Sequence, residues 1–132
     1  MRPGAREWLE FVAELGIPLG LATSSGPAAV QERLGDVLHL FAAVATRADV
    51  EHGKPHPDLY LEAARRLGIA PETALAVEDS PAGTQAALAA GMRVVVIPDL
   101  IMPPKDLEPR LAAVFPSLDA LRAAVAHGWT TP

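Results

Sequence analysis

Three polar clusters interrupt a largely apolar sequence, and each is made of residue types that handle phosphate or a hard cation. Thr23-Ser24-Ser25-Gly26-Pro27 sets hydroxyls just ahead of a helix start. Free backbone N–H groups and the helix dipole attract anions there, and a threonine hydroxyl adds a neutral donor. In Gly53-Lys54-Pro55-His56-Pro57-Asp58, Lys54 is one of only two lysines in the chain and is held between a glycine and a proline. An ammonium on a stiff turn is a fixed point charge suited to facing phosphate. Glu78-Asp79-Ser80-Pro81-Ala82-Gly83 sets two carboxylates side by side at the end of an apolar run. Adjacent residues on extended backbone point to opposite sides, so one carboxylate can bind a hard cation while the other works from behind it.

Each cluster also has a plainer reading. Ser24 or Ser25 reads as the N-cap ahead of Pro27, Lys54 as a solvated surface charge and Asp58 as the cap of the following helix. Asp79 or Ser80 reads as a cap with Pro81 in the first turn, and His56 as a turn or packing residue. His39, His52 and His127 fall in unrelated segments, which leaves no zinc-site spacing.

The elements that position these clusters are legible from periodicity. Residues 17–23, 41–46, 74–78 and 93–97 read as strands, with a weaker fifth near Ala113 to Phe115. Their near-continuous apolar character predicts burial on both faces, hence parallel pairing with helical crossovers. Helical faces lie between them: Trp8, Val12 and Leu15; Val30, Leu34 and Val37; Tyr60, Ala64 and Leu67; and Leu118, Leu121 and Val125. A fourth helix, from about Pro81 to Ala90, carries Ala82, Ala86, Ala87, Ala89 and Ala90 with Gly83 in its first turn, so it can lie close to the sheet. Gly16, Gly68, Gly91 and Gly128 mark helix ends, and Pro98 to Pro109 reads as a surface loop. The fold class is therefore α/β, a mostly parallel Rossmann-like sheet with helices on both faces, in one domain over residues 1–132. Ligands of such sheets bind beyond the carboxyl ends of the strands, where all three clusters fall.

Composition narrows the function classes. With 11 basic and 16 acidic side chains the formal charge is -5, so the basic field that holds nucleic acid is absent. No apolar run approaches the ~20 residues of a membrane span. With no cysteine, disulfides, thiolate metal sites and a cysteine nucleophile are excluded, and a cytoplasmic location is the expectation.

A hydroxyl, a lysine and an acid pair at successive strand ends are what phosphoryl transfer requires around a phosphate. Together with Pro3-Gly4, Gly20-Leu21-Ala22-Thr23-Ser24-Ser25 and Ala90-Gly91-Met92, these segments make the chain similar to the haloacid dehalogenase superfamily, in its β-phosphoglucomutase-like and phosphoglycolate-phosphatase-like branch. The resemblance implies a Mg²⁺-dependent phosphatase or phosphomutase acting through an aspartyl-phosphate on a small phosphorylated metabolite. It implies that Thr23 and Ser24 bind phosphate, that Lys54 stabilises it, that Asp79 ligates Mg²⁺ and that Glu78 stands in the metal's outer shell.

The family's first motif, Asp-x-Asp-Gly-Thr/Val, supplies the nucleophile and the general acid/base, and no Asp-x-Asp occurs in this sequence. The chain thus resembles the C-terminal portion of a longer member, without the cap and without the strand that normally lies between those ending at Thr23 and Glu78. The expectations are that it lacks covalent catalysis alone, and that the two inner strand edges draw together, associate with a second copy, or receive a missing N-terminal segment. The competing expectation is a non-catalytic phosphate- or metal-binding module. A receiver-type signalling domain resembles the reverse chain order, acid pair first and lysine last, and ranks below both.

Overall fold

A computed structural model describes residues 1–99 and 102–131, so Leu100 and Ile101 of the Pro98–Pro109 loop lie outside the described residues. The order is α1 (Ala5–Glu14), β1 (Gly20–Ala22), α2 (Pro27–Leu34), β2 (Ala43–Ala45), α3 (Asp58–Leu67), β3 (Leu75–Glu78), α4 (Pro81–Ala89), β4 (Arg93–Val96), β5 (Ala113–Val114) and α5 (Leu118–Ala126). All pairings among the described residues are parallel. Gly16, Gly68, Gly91 and Gly128 all take positive φ, which only glycine adopts without steric cost.

The strands alternate between two helical layers. Val94 and Val96 pack with Tyr60 and Ala64 of α3 and with Ala86 and Ala87 of α4. Val95 and Ile97 face the other way, onto Leu118 and Leu121 of α5 and Trp8 of α1. Both sides of β4 are buried, as its unbroken apolar run requires. The small stripe of α4 lets that helix sit directly on the sheet, but it runs through Gly83, Thr84, Ala86 and Ala87, while Ala82 and Ala89 are exposed. Thr84 is fully buried because its hydroxyl donates to the Ser80 carbonyl at 2.8 Å, satisfying its polar atom within the helix.

Two helical faces are shorter than their periodicity suggests. Leu15 follows the last residue of α1 and is 52% exposed. Val37 is fully buried, yet it lies beyond the end of α2 in the turn leading to Leu38–Leu40. Both helices end before the apolar pattern does, so those side chains are placed by the following turn.

The sheet is divided. β1 pairs only with β2, and β3, β4 and β5 form a separate three-stranded ladder. Among the described residues, then, the edges of β1 and β3 have not drawn together. Thr23 N–H donates to the Ala45 carbonyl on β2, Arg93 N–H to the carbonyl of Ala74 just before β3, and Ile97 N–H, just after β4, to the Glu78 carbonyl. A parallel strand gives alternate residues to each neighbour. Gly20 and Ala22 of β1, and Leu75 and Val77 of β3, therefore turn their peptide groups away from these ladders.

Candidate functional site

The strand alternation of β3 decides where its two acids go. Ala76 faces the α3 and α4 side, Val77 the α1 and α5 side, and Glu78 returns to the first. The Glu78 carboxylate consequently enters the space under α3 and is 7% exposed. Its Oε2 accepts from Lys54 Nζ at 2.7 Å and from the Tyr60 hydroxyl, and its Oε1 accepts from the Asp79 N–H at 3.1 Å. Burial by itself opposes ionisation of Glu78, but the Lys54 charge and the bonds from Lys54, Tyr60 and the Asp79 N–H outweigh it and hold its carboxyl below the usual range. Burial first, then the charge of Glu78, pushes the Tyr60 phenol well above its usual range, which keeps it a donor.

Lys54 arrives from the other half of the sheet. The segment after β2 is tied by Thr46, whose N–H donates to Asp49 Oδ2 at 2.7 Å, and by Arg47, which donates to the Val50 carbonyl at 2.9 Å. The Lys54–Pro55 bond is cis. From there Lys54 Nζ donates to the Ala22 carbonyl at 3.3 Å as well as to Glu78. One ammonium thus spans the carboxyl ends of β1 and β3, the two strands that share no ladder.

Thr23 follows Ala22 directly, and its Oγ1 accepts from the Ser25 N–H at 3.1 Å. The helix after it is capped by Gly26, with no side-chain bond, so neither Ser24 nor Ser25 is its N-cap. The serines stand too early: Pro27 opens the helix and the cap position falls on the glycine before it. Likewise Pro57, not Asp58, precedes the first residue of α3, and the Asp58 carboxylate accepts from the His52 N–H at 3.3 Å. Ser80 does cap α4, accepting from the Gly83 N–H at 3.1 Å.

An open cavity of about 360 Å³ lies beside Thr23 and Ser25, walled by Val30, Arg33 and Leu34 of α2 and by Arg2. That volume suits a small metabolite. Arg2 also lies 3.4 Å from Asp79 Oδ2 and donates to the Ile97 carbonyl at 2.9 Å, linking the cavity wall to the end of β3. Asp79 is 46% exposed, and an ion pair that open contributes about 0–1 kcal/mol. A cation can displace Arg2 from it at little cost.

The structure therefore gathers Lys54 and Glu78 in direct contact, sets Thr23 one residue from the Lys54-bound carbonyl, and joins Asp79 to the Thr23 cavity through Arg2. Ser24 makes no side-chain bond among the described residues. In the sequence Tyr60 stands on an apolar helix face, and Arg2 carries no mark beyond preceding Pro3-Gly4. The signal for Tyr60 was available: it is the one tyrosine in the chain, on an inward face where its hydroxyl needs a partner.

Comparison with known proteins gives a consistent result. A family model described as haloacid dehalogenase-like hydrolase matches residues 1–91. Hexitol phosphatase B of Escherichia coli K12 is 36% identical over 122 residues, covering 90% of this chain and 53% of that protein. A haloacid dehalogenase family hydrolase from Deinococcus radiodurans, crystallised with phosphate and sodium, superposes with a TM-score of 0.82 at 33% identity, over 96% of this chain and 59% of that one. CbbY from Rhodobacter sphaeroides, in complex with phosphate, gives a TM-score of 0.80 at 30% identity over 91% and 55%. The chain spans about half the length of the curated relatives it matches.

Proposed function

We propose, from the premise that this chain belongs to the haloacid dehalogenase-like hydrolases, that it carries the phosphate- and Mg²⁺-binding half of a phosphatase or phosphomutase for a small phosphorylated metabolite. The observation that carries the reading is the Lys54 ammonium held between the ends of β1 and β3 and bonded to the carbonyl of Ala22, the residue before the cavity-lining Thr23. In it, the Thr23 hydroxyl and the Ser24 backbone N–H donate to phosphate oxygens, and Lys54 neutralises charge that builds on the phosphoryl group.

Asp79 is the carboxylate suited to Mg²⁺, since it is half-exposed and its ion pair with Arg2 is an open one at 3.4 Å. Among the described residues no three acids or histidines cluster. Mg²⁺ needs no such cage, because it keeps several waters and takes one or two carboxylates plus phosphate oxygens. When bound, the ion would withdraw electrons from the phosphoryl oxygens. Glu78, engaged by Lys54 and Tyr60, supports the site from behind.

The nucleophile is the missing element. With no Asp-x-Asp in the sequence, the 132-residue chain alone binds phosphate and Mg²⁺ without turnover, and the divided sheet is the place where a further strand, of a longer chain or a second copy, completes it. No helix of the described residues is long and apolar enough to cross a membrane, and a cytoplasmic setting fits a metabolite substrate. Hydrolysis of an aryl phosphate with Mg²⁺ tests the reading alongside calorimetry with inorganic phosphate. The expected result is phosphate uptake, lost in Lys54→Ala, with no turnover. Robust turnover abolished by Asp79→Ala would overturn the inactivity, and no phosphate uptake would overturn the site.

A further inference from the structure

We propose that Tyr60 is a positioning residue for the Lys54 ammonium, acting through Glu78, and that Gly83 is the small residue that lets this clamp close. The inference rests on the reading of Lys54 as a phosphate-facing cation. It assigns a role to a buried hydroxyl that the binding chemistry above does not use.

Tyr60 is 7% exposed in a core cluster whose other buried members on α3 and α4 are alanines. Phenylalanine would fill the same volume with no polar atom to satisfy. Instead, the phenol donates to Glu78 Oε2, the same oxygen that takes Lys54 Nζ at 2.7 Å. The ring also lies beneath the cation, with Nζ 5.2 Å from its centroid, within the range of a cation–π contact. Tyr60 thus touches both partners of the ion pair at once.

Glu78 is fixed at its other oxygen as well, where Oε1 takes the Asp79 N–H at 3.1 Å and the Ser80 hydroxyl at 3.4 Å. Any side chain at Gly83 would overlap the carboxylate, because a Cβ there would fall among its atoms. Lysine ends in three donors on a flexible stem. Two of them are committed, to Ala22 and to Glu78. The third is left for a phosphate oxygen, with its direction set by the clamp. Without the phenol, Glu78 keeps its charge but loses the contact that fixes Oε2 relative to the ring, and the ammonium loses its single orientation.

The two-lysine composition makes this measurable in the intact chain. With ¹⁵N-labelled lysine, Lys54 should give a persistent ammonium cross-peak, since its protons are bonded and shielded, with Lys105 as internal reference. In Tyr60→Phe the Lys54 signal should broaden or vanish, and the affinity for inorganic phosphate should fall roughly tenfold, as for one lost hydrogen bond to a charged group. Gly83→Ala keeps the phenol but displaces the carboxylate that joins it to Lys54, so it should produce the same loss and tests the part assigned to Gly83; if Tyr60→Phe does not fold, the wild-type Lys54 ammonium protons must still show a nuclear Overhauser contact to the Tyr60 ring, and its absence overturns the proposal. A lowered melting temperature with an unchanged Lys54 signal in Tyr60→Phe would reduce Tyr60 to packing and overturn the proposal, and an unchanged signal in Gly83→Ala would remove Gly83 from it. If phosphate leaves the wild-type Lys54 signal unmoved, the phosphate reading fails, while the variants still support or overturn the clamp by the signal itself.

Discussion

Glu78 and Asp79 are neighbours with opposite environments, and their substitutions should separate cleanly. Glu78→Gln leaves the Lys54 ammonium, whose side chain is 14% exposed, without its charge partner. Breaking a buried pair from one side costs about 3–5 kcal/mol. The residual exposure and the remaining Ala22 carbonyl place the expected loss near the lower end, read from the midpoint of urea unfolding. Asp79→Asn removes only an open pair with Arg2, so stability should change by less than ~1 kcal/mol, while Mg²⁺ should no longer enhance phosphate binding in calorimetry. Equal destabilisation by the two variants would contradict the assignment of one acid to the fold and the other to the ion. The pH dependence follows from the same contact. The folded-state pKa of Glu78 is depressed, so its contribution is fully present above the unfolded carboxylate range and is lost as pH falls through the folded value. In Glu78→Gln that acid-side decline in stability should be flatter.

Among the elements, α4 and α5 open alike, with a serine N-cap accepting from the N–H three residues on, Gly83 for Ser80 and Ala120 for Ser117. Losing such a cap costs about 1 kcal/mol, so Ser80→Ala and Ser117→Ala should shift the unfolding midpoint comparably. Only Ser80→Ala should also weaken phosphate binding, because that hydroxyl lies 3.4 Å from Glu78 Oε1. On α3, Glu62 is clamped by Arg65 and Arg66, whose hydrogen bonds are the largest cause of a carboxyl pKa lowered to about 2. Glu62→Gln should therefore alter stability from neutral pH down to the range between the ordinary carboxylate pKa and about 2, and converge with wild type below it. These elements also show what a linear reading can and cannot see. Strand and helix existence was legible because the unbroken apolar run of β4 and the stripe in α3 are properties of one segment. The Ser24 and Ser25 caps were misplaced by one or two residues, because Gly26 holds the cap position and any residue type near a Pro-initiated helix looks eligible. Tyr60 was legible as buried but not as part of the site, because its partner lies 18 positions away and becomes adjacent only when α3 crosses the end of β3.

At the scale of the whole molecule, the governing feature is a parallel sheet with a break in its middle. The helical layers on either side are intact: α3 rests on β1, β2 and α4, and α1 rests on α5. The two ladders are therefore held as parts of one fold by helices and by Lys54, without hydrogen bonds between β1 and β3. Unpaired strand edges are the surfaces on which another strand pairs. Amide exchange should report the break residue by residue. The N–H groups of Gly20, Ala22, Leu75 and Val77, turned from their ladders, should exchange much faster than those of Ala76, Glu78 and Val95. Val77 is the sharpest case, since its side chain packs against the α5 layer and burial alone would predict slow exchange. In a longer chain that supplies a strand between β1 and β3, all four should become protected together, and in a dimer that pairs these edges the protection should depend on protein concentration. Uniform slow exchange across β1 and β3 in a dilute monomer would mean that the strands pair directly in solution. The space for a completing strand, on which the proposed function depends, would then be gone.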